Sequence, residues 1–212
     1  MVHTLAPDTQ QLLSDVTWEE YQQLSDAFPD SAKVRLAYNE GTLEIMTLGF
    51  QHERYKEFLI RLVSLTALEL DIDLESSGST TLTKEEVRSG AEPDTGFYIE
   101  QAQVMLGRRE IDLSIDPPPD IIVEVDITHS SWNKRAIYAK FGVPEIWHLV
   151  HTDLTIYVLD GSAYREQETS LSFPFLSAQT LTHFLEESIV IGQGKALRNY
   201  RNWLKSDGHA SR

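Results

Sequence analysis

The segment Asp120-Ile121-Ile122-Val123-Glu124-Val125-Asp126 constrains the fold more than any other. Its apolar run is too short for a helix and rich in Ile and Val, so it reads as a strand covered on both sides. Successive strand residues point to opposite faces. Ile121, Val123 and Val125 therefore line one face, and Asp120, Ile122, Glu124 and Asp126 the other. Carboxylates on a buried strand are costly unless a base, hydrogen bonds or a divalent cation compensates them. The two faces of this strand are thus expected to differ in their chemistry.

The surrounding patterns supply the layers. Thr17-Trp18-Glu19-Glu20 is a capping box that opens a short helix. Val34–Tyr38 and Thr42–Met46 alternate apolar and polar residues around Asn39-Glu40-Gly41, which predicts a β-hairpin. From His52 to Leu70 the residues Tyr55, Phe58, Leu59, Leu62 and Val63 recur at helical spacing; Thr66 interrupts the stripe and Leu70 resumes it. Further strands are expected near Asp73–Ser76 and Asp94–Ile99. A helix over Trp132–Phe141 has Ser130 and Ser131 as candidate N-caps and Gly142 and Pro144 as its stop. Ile146–Val150 reads as a strand, Thr155–Leu159 and Tyr164–Gln167 as a hairpin-like pair, and Thr180–Glu186 and Ala196–Leu204 as helices. Strand, helix and strand within 120–150 make a βαβ unit, so the expected class is α/β with a central mixed sheet flanked by helices. One domain over 1–212 is expected, with its core at about 15–160 and residues 161–212 packed on it.

Composition excludes several chemistries. No cysteine is present among the 212 residues, so disulfides, thiolate zinc sites, iron–sulfur clusters and cysteine nucleophiles are ruled out. The chain has neither a signal-peptide pattern at its start nor an apolar run of membrane-spanning length, and a cytoplasmic protein without a membrane partner is expected. With 18 Lys and Arg against 33 Asp and Glu, the net charge of −15 confines any nucleic-acid contact to a local patch. Residues 195–212 hold five bases (Lys195, Arg198, Arg201, Lys205, Arg212) against Asp207, a distribution that an exposed helix end explains. Two apparent motifs fail. Gly192-Gln193-Gly194-Lys195-Ala196 lacks the spacing and hydroxyl of a phosphate loop, and His52-Glu53-Arg54-Tyr55-Lys56 has lysine where a zinc-protease helix needs its second histidine.

The remaining chemistry is acidic. Glu92-Pro93-Asp94 stands at the head of one strand and Glu124 and Asp126 lie in another, a set of hard oxygen donors suited to magnesium. An ion held there can orient a phosphodiester and lower the pKa of the attacking water. Asp94 also reads as a turn cap, Asp126 as a strand end, and His52 and Glu53 as ordinary first-turn residues. Lys134 and Tyr138 share a helix face by their spacing of four.

Pro93-Asp94, then Pro118-Pro119-Asp120-Ile121-Ile122-Val123-Glu124-Val125, then Lys134-x-x-x-Tyr138-x-x-x-Gly142-Val143-Pro144-Glu145-Ile146-Trp147 resembles the Uma-two family of restriction endonucleases, a bacterial branch of the PD-(D/E)XK superfamily. The match extends upstream through Gly41-x-Leu43-Glu44-Ile45-Met46 and His52. The resemblance implies a restriction-endonuclease-like core, Mg²⁺ (or Mn²⁺) as cofactor and DNA as substrate. It makes Asp94 and Glu124 the metal-binding acids, with a backbone carbonyl near Val125 as a further ligand and Glu53 as an additional helical acid. The superfamily's usual lysine two residues after the second acid is replaced by Asp126, and Lys134 is similar to the lysine of the family's Lys-x-x-x-Tyr block. The catalytic set it implies is Asp94, Glu124 and Lys134, with Glu53, His52, Asp126 and Tyr138 as additional candidates.

Three readings stand at this point: a Mg²⁺-dependent endonuclease, a catalytically silent nuclease fold acting as a binding or regulatory module, and a structural salt-bridge network joining the acids to Arg88, Lys134 or Arg135. A homodimer is a further expectation, with exposed Trp and Phe near the C-terminal helices as its interface.

Overall fold

The computed structural model describes residues 9–28, 34–127 and 134–206. Along them run β1 (Gln10–Leu13), α1 (Trp18–Ala27), β2 (Val34–Asn39), β3 (Thr42–Thr47), α2 (Phe50–Glu69), β4 (Glu75–Gly78), β5 (Leu82–Lys84), a 3-10 turn (Glu85–Val87), β6 (Ser89–Ala91), β7 (Thr95–Tyr98) and α3 (Ala102–Met105). There follow β8 (Ile121–Asp126), α4 (Lys134–Phe141), β9 (Glu145–Val150), β10 (Asp153–Asp160), β11 (Ala163–Gln167), α5 (Ala178–Ile191) and α6 (Gln193–Ser206).

Local chemistry accounts for most of these boundaries. The Thr17 hydroxyl accepts the Glu20 N–H while the Glu20 carboxylate accepts the Thr17 N–H, closing the capping box at the start of α1. Glu40 and Gly41 both take positive φ, +49° and +82°, as the two-residue turn between β2 and β3 requires. Gly90 on β6 has a different reason to be glycine. A Cβ there would lie 2.2 Å from the Tyr21 hydroxyl, because α1 lays that ring directly on the strand. The candidate caps Ser130 and Ser131, like Trp132, lie outside the described residues. β1, β5, β6 and α3 were not legible as elements; Gln10-Gln11-Leu12-Leu13 and Ser89-Gly90-Ala91 carry no alternation, and only pairing with β3 and β2 makes them strands.

The strands form two sheets. The first has the order β1-β3-β2-β6-β5 and the second β11-β10-β9-β8-β7-β4. Among the described residues, β8 and β9 are the one parallel pair, and α4 is the helix of their βαβ connection. On one side of β8, Ile121, Val123 and Val125 join Tyr55, Phe58, Leu59, Leu62 and Val63 of α2 in the largest core, which α5 and α6 close. On its other side, Ile122 packs with Ile137, Tyr138 and Phe141 of α4 and with Ala37 and Ala91 of the first sheet. α4 therefore occupies the seam between the two sheets.

Two expectations need correction. Thr66 does not break the stripe of α2; it is fully buried, donates to the Leu62 carbonyl at 2.8 Å and meets the Tyr200 hydroxyl of α6. The C-terminal aromatic residues do not face solvent. Phe184 is buried and Trp203 packs on Tyr200 and Phe184, with centroids 5.7 and 5.9 Å apart, because α5 and α6 fold back on α2. Arg201 and Lys205 pair with Glu69 of α2 at 2.6 and 3.1 Å, which supplies the C-terminal bases with a partner inside the chain. The Gly192–Gly194 segment is the corner between α5 and α6. Among the described residues no helix is long and apolar enough to cross a membrane.

Candidate active site

Charged side chains converge where the sheets meet beneath α4. Glu92, Pro93 and Asp94 carry the chain from β6 of one sheet to β7 of the other, so Asp94 lies in the seam by topology. Its Oδ2 accepts the N–H of Val125 at 2.7 Å, which fixes the carboxylate against β8 next to Glu124. Lys134, the first residue of α4, reaches back so that Nζ donates to Glu124 Oε2 at 2.9 Å and to the Glu92 carbonyl at 3.4 Å. Tyr138, one turn further along α4, donates its hydroxyl hydrogen to Glu124 Oε1. His52 Nε2, from the first turn of α2, lies 3.0 Å from Asp94 Oδ2 but out of line for a hydrogen bond, so the contact is electrostatic.

A residue the sequence reading did not single out completes the cluster. Glu44 is buried on β3, and its Oε1 accepts from Gln10 at 3.0 Å. Its charge is felt by Lys134, and it feels those of Asp94 and Asp126 in turn. The signal was present: Glu44 alternates with Leu43 and Ile45, which face the aromatic core of Trp18, Tyr21 and Tyr38. In a lone hairpin the opposite face is solvent, and only the second sheet makes it interior.

Three buried carboxylates thus surround one ammonium. Burial pushes Glu124 up to about 7, and Asp94 adds to this while Lys134 and Tyr138 oppose it. Burial also raises Glu44 against the pull of Lys134 and Gln10. Asp94 is held below the usual carboxylate range because His52, Lys134 and the Val125 N–H outweigh its burial. The same carboxylates raise Lys134 and His52 although burial alone would lower both. The ammonium stays charged, and the surplus negative charge is what remains unbalanced. Asp94 Oδ1 and Glu44 Oε2 are buried with no hydrogen-bond partner among the described residues.

The other candidates lie around this cluster. Glu53 stays at the rim, 41% exposed, with Lys56 at 2.6 Å. Asp126 turns to His148 of β9, Oδ2 to Nε2 at 2.7 Å. Of the three bases considered for a salt-bridge network, Lys134 is the one that pairs with these acids. Arg135 instead stands over the Tyr157 ring at 4.5 Å, and Arg88 caps the 3-10 turn in a left-handed conformation. Arg35, which the sequence did not flag, is buried with its Nη1 3.8 Å from Glu92. The Glu145-x-Trp147 block has a structural task. The Glu145 carboxylate accepts the Trp147 indole N–H at 2.5 Å and the Leu171 and Ser172 N–H groups at 2.9 and 3.2 Å, anchoring the segment that leads into α5.

The donors are hard oxygens, and two of them are unpartnered, which fits a hard divalent cation. As they stand, no three His, Asp or Glu residues among those described form a group that could hold an ion, and both oxygens of Glu124 are engaged, by Lys134 and Tyr138.

A mixed sheet carrying a βαβ unit, with acids gathered at the strands that flank it, defines a restriction-endonuclease-like α/β protein. The chain belongs to the Uma2 family, described as "Putative restriction endonuclease", whose model matches residues 18–189. A crystal structure described as "a putative nuclease belonging to DUF820", from Anabaena variabilis, is similar with a TM-score of 0.53. It covers 80% of this chain and 99% of its own at 18% identity, a likeness of fold. No curated protein matches the chain.

Proposed function

We propose that the chain is a Mg²⁺-dependent endonuclease that hydrolyses phosphodiester bonds in DNA. The observation that carries this reading is the surplus of negative charge in the seam: Glu44, Asp94 and Glu124 around Lys134, with Asp94 Oδ1 and Glu44 Oε2 unpartnered. Asp94 and Glu124 would hold the ion, with Glu44 as a third oxygen donor. Bound there, Mg²⁺ or Mn²⁺ would orient the phosphodiester, offset charge developing in the transition state and lower the pKa of the attacking water.

The chain's own residues have separable tasks. The Val125 N–H aims Asp94 by holding one oxygen and leaving the other toward the seam. Lys134 keeps its proton among three carboxylates, so it acts by charge and position and not as a base. Tyr138 holds Glu124 from the α4 side. His52 places a second basic group against Asp94. The reaction itself asks for little more: a water oxygen forms the new bond to phosphorus, and the departing alkoxide takes up a proton. Plasmid nicking in Mg²⁺ or Mn²⁺ tests the reading. Asp94→Ala and Glu124→Ala should abolish it, and activity that survives both removes these residues from the chemistry. A manganese-soaked crystal should give an anomalous peak between the acids.

Two observations favour the catalytically silent alternative. Both oxygens of Glu124 are satisfied within the chain, and a net charge of −15 opposes DNA. Calorimetric titration separates the two, because a silent site takes up no Mg²⁺ or Mn²⁺ at millimolar concentration.

A further inference from the structure

At the position where the superfamily signature has lysine, this chain has Asp126, and the structure shows what that acid does. Asp126 is buried at the end of β8, on the same face as Glu124. It accepts from Nε2 of His148 at 2.7 Å. His148 is the parallel-sheet partner of Glu124 across β8 and β9, so it enters the same seam from the neighbouring strand. Its side chain keeps 11% of its surface exposed, whereas that of Asp126 is sealed. The ring is thus fixed at one nitrogen, and the other makes no hydrogen bond among the described residues. Beyond His148 the same face continues to Tyr157, whose ring centroid is 6.3 Å away. The Arg135 guanidinium lies 4.5 Å over that tyrosine. Arg135 also lines a groove of about 340 Å³ with Ala136, Ala139 and Tyr164, between α4 and the β10–β11 hairpin. A track of basic groups therefore leads from the acid cluster to an open groove, on a chain whose overall charge repels nucleic acid.

We propose that His148, locked by Asp126, and Arg135, propped on Tyr157, are substrate-positioning residues that grip the phosphate backbone of the nucleic acid beside the bond to be cut. This rests on the nuclease reading above. The imidazole then stands between two anions, Asp126 on one side and a phosphate oxygen on the other. Arg135 takes the next phosphate along the groove. Asp126 is then a positioning residue acting through His148.

The test uses the full chain. Binding of a labelled duplex is followed by fluorescence anisotropy over a range of salt, with Ca²⁺ as the hard cation, and nicking kinetics are measured separately in Mg²⁺. His148→Ala and Arg135→Ala should each weaken duplex binding about tenfold. Each should also reduce the slope of log Kd against log salt by about one, the signature of a lost phosphate contact. KM should rise while kcat stays within a few-fold of wild type. Asp126→Asn should shift KM in the same direction. His148→Gln keeps a donor for Asp126 without presenting a ring edge outward, so it should show the same loss with an unchanged melting temperature. Wild-type affinity and slope in His148→Ala, or in a folded His148→Gln, would overturn the inference while leaving nicking by the wild type, and its loss in Asp94→Ala, as independent support for the nuclease reading. A wild-type chain that neither binds nor nicks DNA would end both.

Discussion

The two faces of β8 are equally dry and do opposite things. All six residues of the strand are buried, yet Ile121, Val123 and Val125 fill a hydrocarbon core against α2, and Glu124 and Asp126 sit in a seam of charges beneath α4. Burial alone therefore does not distinguish an apolar core position from a charged one. The difference lies in compensation. On the apolar face every removed contact is lost dispersion and transfer energy, whereas on the acidic face each group is held by a specific partner whose loss strands a charge.

The sharpest way to break this contrast is Glu124→Ala. It should abolish nicking and also cost roughly 3–5 kcal/mol of stability, because Lys134 is left buried without its partner. Glu124→Gln should abolish nicking with a smaller loss, since the amide still meets Lys134 and Tyr138. Loss of activity without any stability difference between the two variants, by denaturant melts, would count against the charge argument. On the opposite face, Ile121→Ala should cost about 2–5 kcal/mol, with the same loss whether or not Mg²⁺ is present.

The pH dependence of stability should belong to the acidic face. Glu124 is raised from 4.5 to about 7, so the folded chain holds a proton that the unfolded chain has released across that window. That contribution is complete below about pH 4.5 and is lost as pH rises through 7. His52, also raised, acts in the same direction from its ordinary value upward. The metal-free melting temperature should therefore fall from pH 5 to pH 8, less steeply in Glu124→Gln, and Mg²⁺ should restore part of it at pH 8. The smallest effect is expected far from both faces. Thr17→Ala removes the α1 cap, should cost about 1 kcal/mol, and should leave nicking unchanged.

Much of this was legible from residue order. The alternation in 120–126 separated the two faces, the Asn39-Glu40-Gly41 turn set the β2–β3 register, and the spacing of Lys134 and Tyr138 placed both on one side of α4. The spacing could not say that both would end on Glu124. Glu44 and His148 were passed over because each looks like an ordinary half-exposed strand residue until a second sheet or a neighbouring strand closes over it. Exposed aromatics were expected near the C-terminus because aromatic count says nothing about which helix folds back on which.

The sequence by itself determined the longer elements, their periodicity and the presence of acids that water could not reach, because propensity, capping and strand alternation act over a few residues. The tertiary structure alone decided which acids meet, that Lys134 rather than Arg88 or Arg135 answers them, and that Asp126 is matched by a histidine. Those pairings join residues ten or more positions apart, and their energies exist only once two sheets and a helix have excluded the solvent between them.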